Sequence, residues 1–437
     1  MRTKSLKTPK VNVITLGCSK NTVDSEVLMG QLKANKFDVE HESEKNDSDV
    51  IIINTCGFIE NAKQESIDTI LQYAEEKNKG NLEKLYVTGC LSHRYKDDLS
   101  KEIPEVDAWF GTLELPNLLK TVGADYKHNL LGERLQTTPK HFSYLKIAEG
   151  CNRPCSFCAI PLMRGGHVSR SMESLEAEVK NLVKNGTKEV MLIAQDSTYY
   201  GLDLYGERKL GELMKRLSDI QGLDWMRLHY AYPSQFPMDV LDVIAERENI
   251  CNYLDMPIQH ITDNVLKSMR RGITKRRTLE LIDEIRAKVP GIALRTTILT
   301  GHPGETEADF EELLDALNEL KFERLGVFTY SHEENTHAHT LDDSISAVLK
   351  EERAARIMDQ QMNISWEFNQ QLVGTEQKVL FDRLEDGHFV GRTQFDSPEV
   401  DNEVWVSAKD NYVRMGDFAN VIIKDASHYD LTGELTS

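Results

Sequence analysis

The sequence predicts an α/β protein in three consecutive parts: an open parallel-sheet domain over residues 10–127, a partial (β/α)6 barrel over 138–373 and a small β-barrel over 374–437. Three observations predict it. Short apolar runs alternate with amphipathic stretches in the first part, the same alternation repeats six times in the second, and only short strands with Asp-Gly and Gly-Asp turns remain in the third. Strand–helix alternation builds βα units on a parallel sheet, whereas short strands with tight turns close on themselves.

Bulk properties narrow the function classes. The chain of 437 residues has 40% apolar and 28% charged residues, the balance of an ordinary globular protein. No apolar run approaches the roughly 18 residues of a membrane helix. Residues 1–10 are basic and polar, without the apolar core of a signal peptide, so a cytoplasmic location is expected. Seven Cys in a reducing compartment argue for free or ligating thiols rather than a disulfide framework. The net charge of −19 repels a phosphate backbone and favours a basic protein partner over nucleic acid.

In the first part, strands are predicted over 11–16, 50–54 and 85–88, and helices over 24–35 and 61–76. Each strand runs into a Cys, in Leu16-Gly17-Cys18, Asn54-Thr55-Cys56 and Thr88-Gly89-Cys90. Open α/β sheets collect ligands beyond the carboxyl ends of their strands, so these three Cys are candidates to converge. Three buried packing thiols are the alternative.

In the second part, strands are predicted over 142–148, 189–194, 226–231, 253–258, 293–299 and 325–330. Helices over 173–185, 210–220, 238–246, 276–288 and 307–320 separate them. The first strand leads into Cys151-Asn152-Arg153-Pro154-Cys155-Ser156-Phe157-Cys158, three thiols within eight residues. Iron–sulfur clusters normally take four thiolates, so three leave one iron open. A structural zinc site wants four ligands, usually as separated pairs, and a redox dithiol would leave Cys151 without a role. Polar residues mark the strand ends: Gln195-Asp196, His229 with Tyr232, Gln259-His260, Thr300 with His302, and Ser331-His332-Glu333-Glu334. Barrel enzymes place their chemistry there. Thr300-Gly301-His302-Pro303-Gly304-Glu305-Thr306 also has the form of a turn and N-cap. Cys251 has no partner in the pattern and is expected to be a buried packing residue.

A helix over 344–371 leads to the third part, where strands are predicted over 378–381, 389–392, 403–406 and 420–423 in a five-stranded barrel of oligonucleotide-binding type. Between residues 376 and 434 it carries 13 acidic and 6 basic residues, the wrong sign for an RNA-binding barrel.

The CxxxCxxC loop, with Phe157 before its last Cys, resembles that of radical S-adenosylmethionine (SAM) enzymes. That resemblance implies that Cys151, Cys155 and Cys158 hold a [4Fe–4S] cluster whose open iron binds SAM. It also implies that Phe157, Gln195, Gly301 and Glu305 contact the cofactor. Gly17-Cys18-Ser19-Lys20-Asn21 and Asn54-Thr55-Cys56-Gly57-Phe58 resemble the flavodoxin-like N-terminal domain of methylthiotransferases, and the last part is similar to their TRAM domain. By this resemblance Cys18, Cys56 and Cys90 hold an auxiliary [4Fe–4S] cluster that supplies methylated sulfur. Arg164, Arg170 and Asp196 are the candidates for catalysis, the arginines as partners of a SAM or substrate carboxylate. Ala194-Gln195-Asp196, His229-Tyr230-Ala231-Tyr232-Pro233 and Arg392-Thr393-Gln394-Phe395-Asp396 look like the branch that modifies an aspartate of small-subunit ribosomal protein 12. Asn335 stands where that branch is expected to carry Gly, and Asn also adopts left-handed backbone. The implied partners are a basic ribosomal protein and an electron donor. A transfer-RNA methylthiotransferase and a non-enzymatic iron–sulfur carrier are the alternatives.

Overall fold

The computed structural model describes residues 9–45, 47–130, 132–409 and 412–436; most of the basic N-terminal stretch, residues 1–8, lies outside them. The first domain contains β1 (Lys10–Thr15), α1 (Ser19–Ala34), β2 (Asp38–His41), β3 (Val50–Thr55), α2 (Glu60–Asn78), β4 (Lys84–Gly89), α3 (Cys90–Glu102), β5 (Ala108–Trp109) and α4 (Leu115–Val122). Its sheet is fully parallel in the order β2-β1-β3-β4-β5. Alternation along the strands sends Val11, Val13 and Ile52 to the α1/α4 side and Ile14, Ile51 and Ile53 to the α2/α3 side, so both faces are buried. Strands β2 and β5 have no counterpart in the sequence reading, because both are short edge strands with half-exposed residues. Helix α1 begins five residues earlier than periodicity places it, with Cys18 at its N-cap, and α3 begins at Cys90 itself. The order of strands reverses between β1 and β3, the switch point where doubly wound sheets bind ligands.

The central domain runs through β6 (Phe142–Lys146), β7 (Ala148–Glu149), α5 (Ile160–Arg164), β8 (Val168–Ser169), α6 (Met172–Lys184), β9 (Glu189–Ile193), α7 (Leu202–Tyr205), α8 (Leu210–Ser218), β10 (Trp225–Leu228), α9 (Asp239–Glu246), β11 (Ile250–Asp255), α10 (Asp263–Ser268), α11 (Lys275–Lys288), β12 (Ala293–Thr300), α12 (Glu307–Leu320), β13 (Arg324–Thr329) and α13 (Ala347–Leu372). Six parallel strands lie in the order β6-β9-β10-β11-β12-β13, an open (β/α)6 arc. The strand expected over 142–148 breaks at Ile147. Its last residues form β7, which pairs antiparallel with β8, and the Cys151–Cys158 loop hangs between these two short strands.

Helix α13 packs on β12 and β13 and carries the chain into a closed barrel of β14 (Glu376–Glu385), β15 (His388–Arg392), β16 (Val404–Ser407), β17 (Phe418–Ala426) and β18 (Leu431–Leu435). The connection between β15 and β16 leaves this barrel and fills the floor of the (β/α)6 arc. Leu145, Val190, Met226, Leu254 and Leu294 turn outward to the helices. The alternate positions on the same strands turn inward and meet the connection. Arg227 Nη1 donates to the Gln394 carbonyl at 2.7 Å, Arg324 pairs with Asp396 at 2.6 Å, Tyr253 donates to Asp401 at 2.8 Å, and Tyr144 donates to Glu399 at 3.0 Å. Glu189 lies fully buried between Arg227 at 3.0 Å and Arg392 at 2.8 Å. Buried charges persist only when paired, so these ties lock the barrel to the arc.

Glu189→Gln strips the charge that two buried guanidiniums share. It should destabilise the protein by about 3–5 kcal/mol in urea unfolding and expose the β15–β16 connection to limited proteolysis. An unfolding midpoint and cleavage pattern equal to wild type would remove the floor from this account.

Candidate functional site

The Cys151–Cys158 loop sits at the carboxyl ends of the arc. The Arg153 amide donates to Cys151 Sγ at 3.4 Å, Arg271 Nη1 donates to Cys155 Sγ at 3.4 Å, and Tyr232 Oη lies 3.5 Å from the same sulfur. The Arg153 and Arg271 guanidiniums both pack on the Tyr232 ring, 4.0 and 4.1 Å from its centroid. Asp196, buried, accepts from Arg153 Nε at 2.6 Å and from the Thr198 amide at 2.9 Å, so it fixes Arg153 rather than standing free. Burial pushes the Cys151 thiol up to about 11 and also raises Cys158. Nearby cations favour the anionic ligand state that a metal cluster requires.

The Gly-rich segment is both a helix start and a cradle. Thr306 caps α12 in a reciprocal box with Asp309. Glu305 Oε2 accepts from the Gly301 amide at 2.8 Å while Arg353 holds Oε1 at 2.7 Å. Gly301 has φ +77°, and a Cβ there would come within 2.3 Å of Lys350 Cγ. His302 reaches Ser156, within the thiol loop, at 3.2 Å. The Phe157 ring packs against the cluster of Met269, Leu299 and Tyr330. Gln195 Oε1, Thr300 Oγ1 and His260 Nε2 are buried without a hydrogen-bond partner among the described residues. Buried polar atoms are normally satisfied, so orphaned acceptors and donors at the strand ends fit a polar cofactor. Asn335 has φ +62°, the left-handed backbone its position requires.

In the first domain Cys18 follows β1 and Cys56 follows β3, at the switch point, with Cys90 beside them. Gly17 has φ +95°, and a Cβ on it would lie 2.7 Å from Cys56 Cβ. Burial pushes the Cys90 thiol up to about 12, with Arg164 opposing and Cys18 and Cys56 adding to it. Cys90 packs directly against Ala159 and Met163, residues that immediately follow the Cys158 loop. Cys90 therefore lies at the domain boundary, against the helix that follows the Cys151–Cys158 loop. Among the described residues no three His, Cys, Asp or Glu converge tightly enough for a single ion, so neither triad is a preformed mononuclear site.

Arg164 spans this boundary. Its guanidinium is buried and bonds Asp24 at 3.0 Å, Glu149 at 2.9 Å and Asn21 at 2.5 Å. Lys146 bonds Asp24 and Glu149 as well, and Gln195 Nε2 donates to Glu149 at 3.1 Å. Despite burial, Lys146 and Arg164 hold the Glu149 carboxyl well below the usual carboxylate range. Arg164 is thus already saturated with carboxylates. Arg170 is likewise committed, to Glu178 at 2.7 Å and the Lys146 carbonyl at 3.1 Å. At the rim, Glu333 and Glu334 serve the first domain, through Arg94 at 2.7 Å and Tyr95 at 2.9 Å. His229 bonds Ser397 of the β15–β16 connection at 3.0 Å. Cys251 is buried among Trp225, Tyr253 and Leu380, as packing. Sequence reasoning missed Arg271 as a thiol partner; its only signal was a dense basic run.

Family models match the three domains in turn: one described as uncharacterized protein family UPF0004 over residues 10–111, the radical SAM superfamily over 145–317, and the TRAM domain over 373–436. A cobalamin- and [4Fe-4S]-bound structure of the radical S-adenosylmethionine methyltransferase TsrM from Kitasatospora setae superposes with a TM-score of 0.54 at 15% identity, covering 88% of this chain and 81% of that one. The fold and the thiol loop define a radical SAM enzyme. The chain is 61% identical to ribosomal protein uS12 methylthiotransferase RimO of Cytophaga hutchinsonii over 100% of both chains. It is 60% identical to the protein of that name from Flavobacterium johnsoniae, over 99% of this chain and 100% of the relative. It belongs to the ribosomal protein uS12 methylthiotransferase family.

Burial pushes His260 down to about 3 and His302 to about 4. The folded protein refuses protons that the unfolded chain accepts near pH 6.5. The stability carried by each neutral ring is therefore present above about pH 6.5 and lost as pH falls toward 4. At pH 5 each ring should cost about 2 kcal/mol relative to pH 7.5 in urea unfolding. His302→Gln should flatten part of that dependence; an identical pH profile would show that His302 is not buried neutral.

Proposed function

We propose that this chain adds a methylthio group to the β-carbon of an aspartate in ribosomal protein uS12, with Cys151, Cys155 and Cys158 holding the SAM-binding cluster and Cys18, Cys56 and Cys90 the auxiliary one. The observation that supports this reading is the packing of Cys90 against Ala159 and Met163, which brings one thiol of the first domain to the helix that follows the Cys151–Cys158 loop. When bound, two [4Fe–4S] clusters and SAM supply the radical and the sulfur-borne methyl group. The chain's own residues bind and orient. Glu305 fixes the Gly301 amide, Gln195 and Thr300 offer unpaired oxygens to SAM, and Phe157 presents its backbone. Arg271 and Tyr232 hold Cys155 Sγ in place, and Arg153 and Arg271 both pack on the Tyr232 ring. Arg164, already paired, acts as a positioning residue between the domains, and Asp196 holds Arg153 in place. Arg170 braces β6 from Glu178 and has no free charge for substrate.

The acidic terminal barrel and the net charge of −19 favour a basic ribosomal protein, free or in a particle, over RNA. No helix among the described residues is long and apolar enough to cross a membrane; a ribosomal substrate and thiolate ligands that need a reducing compartment support a cytoplasmic location. The chemistry requires an electron donor.

Replacing Cys18, Cys56 and Cys90 together by Ala should remove about half of the reconstituted iron while leaving 5′-deoxyadenosine formation from SAM intact. Methylthiolation of uS12, followed by mass spectrometry, should vanish. Full iron content in that variant would refute the auxiliary site. Modification of bulk tRNA with uS12 untouched would refute the substrate.

A further inference from the structure

Residues 267–277 carry six Lys and Arg and no Asp or Glu, in a chain whose net charge is −19. Three of these cations, Lys275, Arg276 and Arg277, occupy the first turn of α11, whose N-cap is Thr274. Cations at a helix N-terminus oppose its dipole by about 0.3–1 kcal/mol each. Neighbouring carboxylates answer only part of this charge. Lys275 is paired with Glu312 and Arg277 with Glu284, each at 2.7 Å, while Arg276 lies 3.7 Å from Glu280. Lys267, Arg270 and Arg276 remain exposed, the first two without an ion pair among the described residues.

Part of this run, Gly272–Thr274 with Arg277, lines one side of a cleft of about 410 Å³ whose other side is Pro233–Phe236; the remaining cations flank it in sequence. The cleft starts where the two partners of Cys155 end: Pro233 follows Tyr232, and Gly272 follows Arg271. Tyr232 donates to the Arg271 carbonyl at 2.9 Å, and both side chains touch Cys155 Sγ. The cleft thus adjoins, through chain neighbours, the two side chains that touch the thiol loop, and no residue of the N-terminal domain lines it.

We propose that this cleft and its basic border form the docking surface for an acidic one-electron carrier, a low-potential flavin or iron–sulfur protein. The carrier loses one electron and the cluster at Cys151, Cys155 and Cys158 gains it; no bond or proton is exchanged. The proposal rests on the radical SAM reading above, which needs one electron for each SAM cleaved. A phosphate backbone would also meet these cations, but the apolar walls Pro233, Phe236 and Ile273 and the position against Cys155 favour a redox protein.

The test uses reconstituted full-length enzyme, a K267E/R270E/R276E variant and a bacterial flavodoxin as the probe. Wild type should bind flavodoxin with an affinity that weakens as salt rises from about 50 to about 300 mM. The variant should lose at least about tenfold in affinity and in flavodoxin-driven 5′-deoxyadenosine formation, with dithionite-driven formation and thermal midpoint unchanged. Lys267→Ala alone should give a smaller loss in the same direction, which keeps the test valid if the triple variant folds poorly. Unchanged flavodoxin affinity overturns the proposal. So does a parallel loss with dithionite, which would tie these charges to the thiol site itself. Retained flavodoxin affinity with lost affinity for a ribosomal RNA fragment would assign the surface to nucleic acid and overturn it too. Absence of 5′-deoxyadenosine from wild type with dithionite would overturn instead the radical SAM reading.

Discussion

The buried Arg164 guanidinium, held by Asp24 and Asn21 from one domain and Glu149 from the other, is the contact on which the site depends. A charge taken out of water costs several kcal/mol unless its partners are in place. The two domains therefore find one relative position in which Arg164, Lys146, Asp24 and Glu149 are all satisfied. That position sets Cys90 against the helix following Cys158. Arg94 on Glu333 and Tyr95 on Glu334 add a second clamp at the far edge of the arc.

The same logic governs the other end of the barrel. An open arc of six strands leaves an unfilled interior, which a closed eight-stranded barrel would pack with its own side chains. Here the β15–β16 connection supplies the filling, and polar residues line it because backbone from a loop must find donors. Asp396, Asp401 and Glu399 answer the inward Arg324, Arg295, Tyr253 and Tyr144. The terminal barrel is thus part of the catalytic domain's floor as well as an acidic surface.

Much of this was legible in the chain. The six strands of the arc and their helices follow from apolar runs and periodicity, and the observed bounds shift by only a few residues. Strands β2, β5 and β18 escaped because edge and barrel strands of two to five largely half-buried or exposed residues lack a distinct apolar run. The start of α1 was misplaced because Lys20 and Asn21 are polar yet buried, so hydrophobic periodicity does not register them. The rim residues were found as a set, but their partners were not. His229 and Glu333 look alike in sequence as exposed strand-end polar groups, yet one braces the barrel loop and the other the first domain.

What the sequence determined by itself was local: the order of strands and helices, the thiols at the strand ends, and the charge of each part. These depend on neighbours within a few residues. The tertiary structure alone decided which charges are already spent. Arg164 pairs across 140 residues with Asp24, and Glu189 across 203 with Arg392. No local pattern encodes such pairings, because they arise from burial that only the packed domains create.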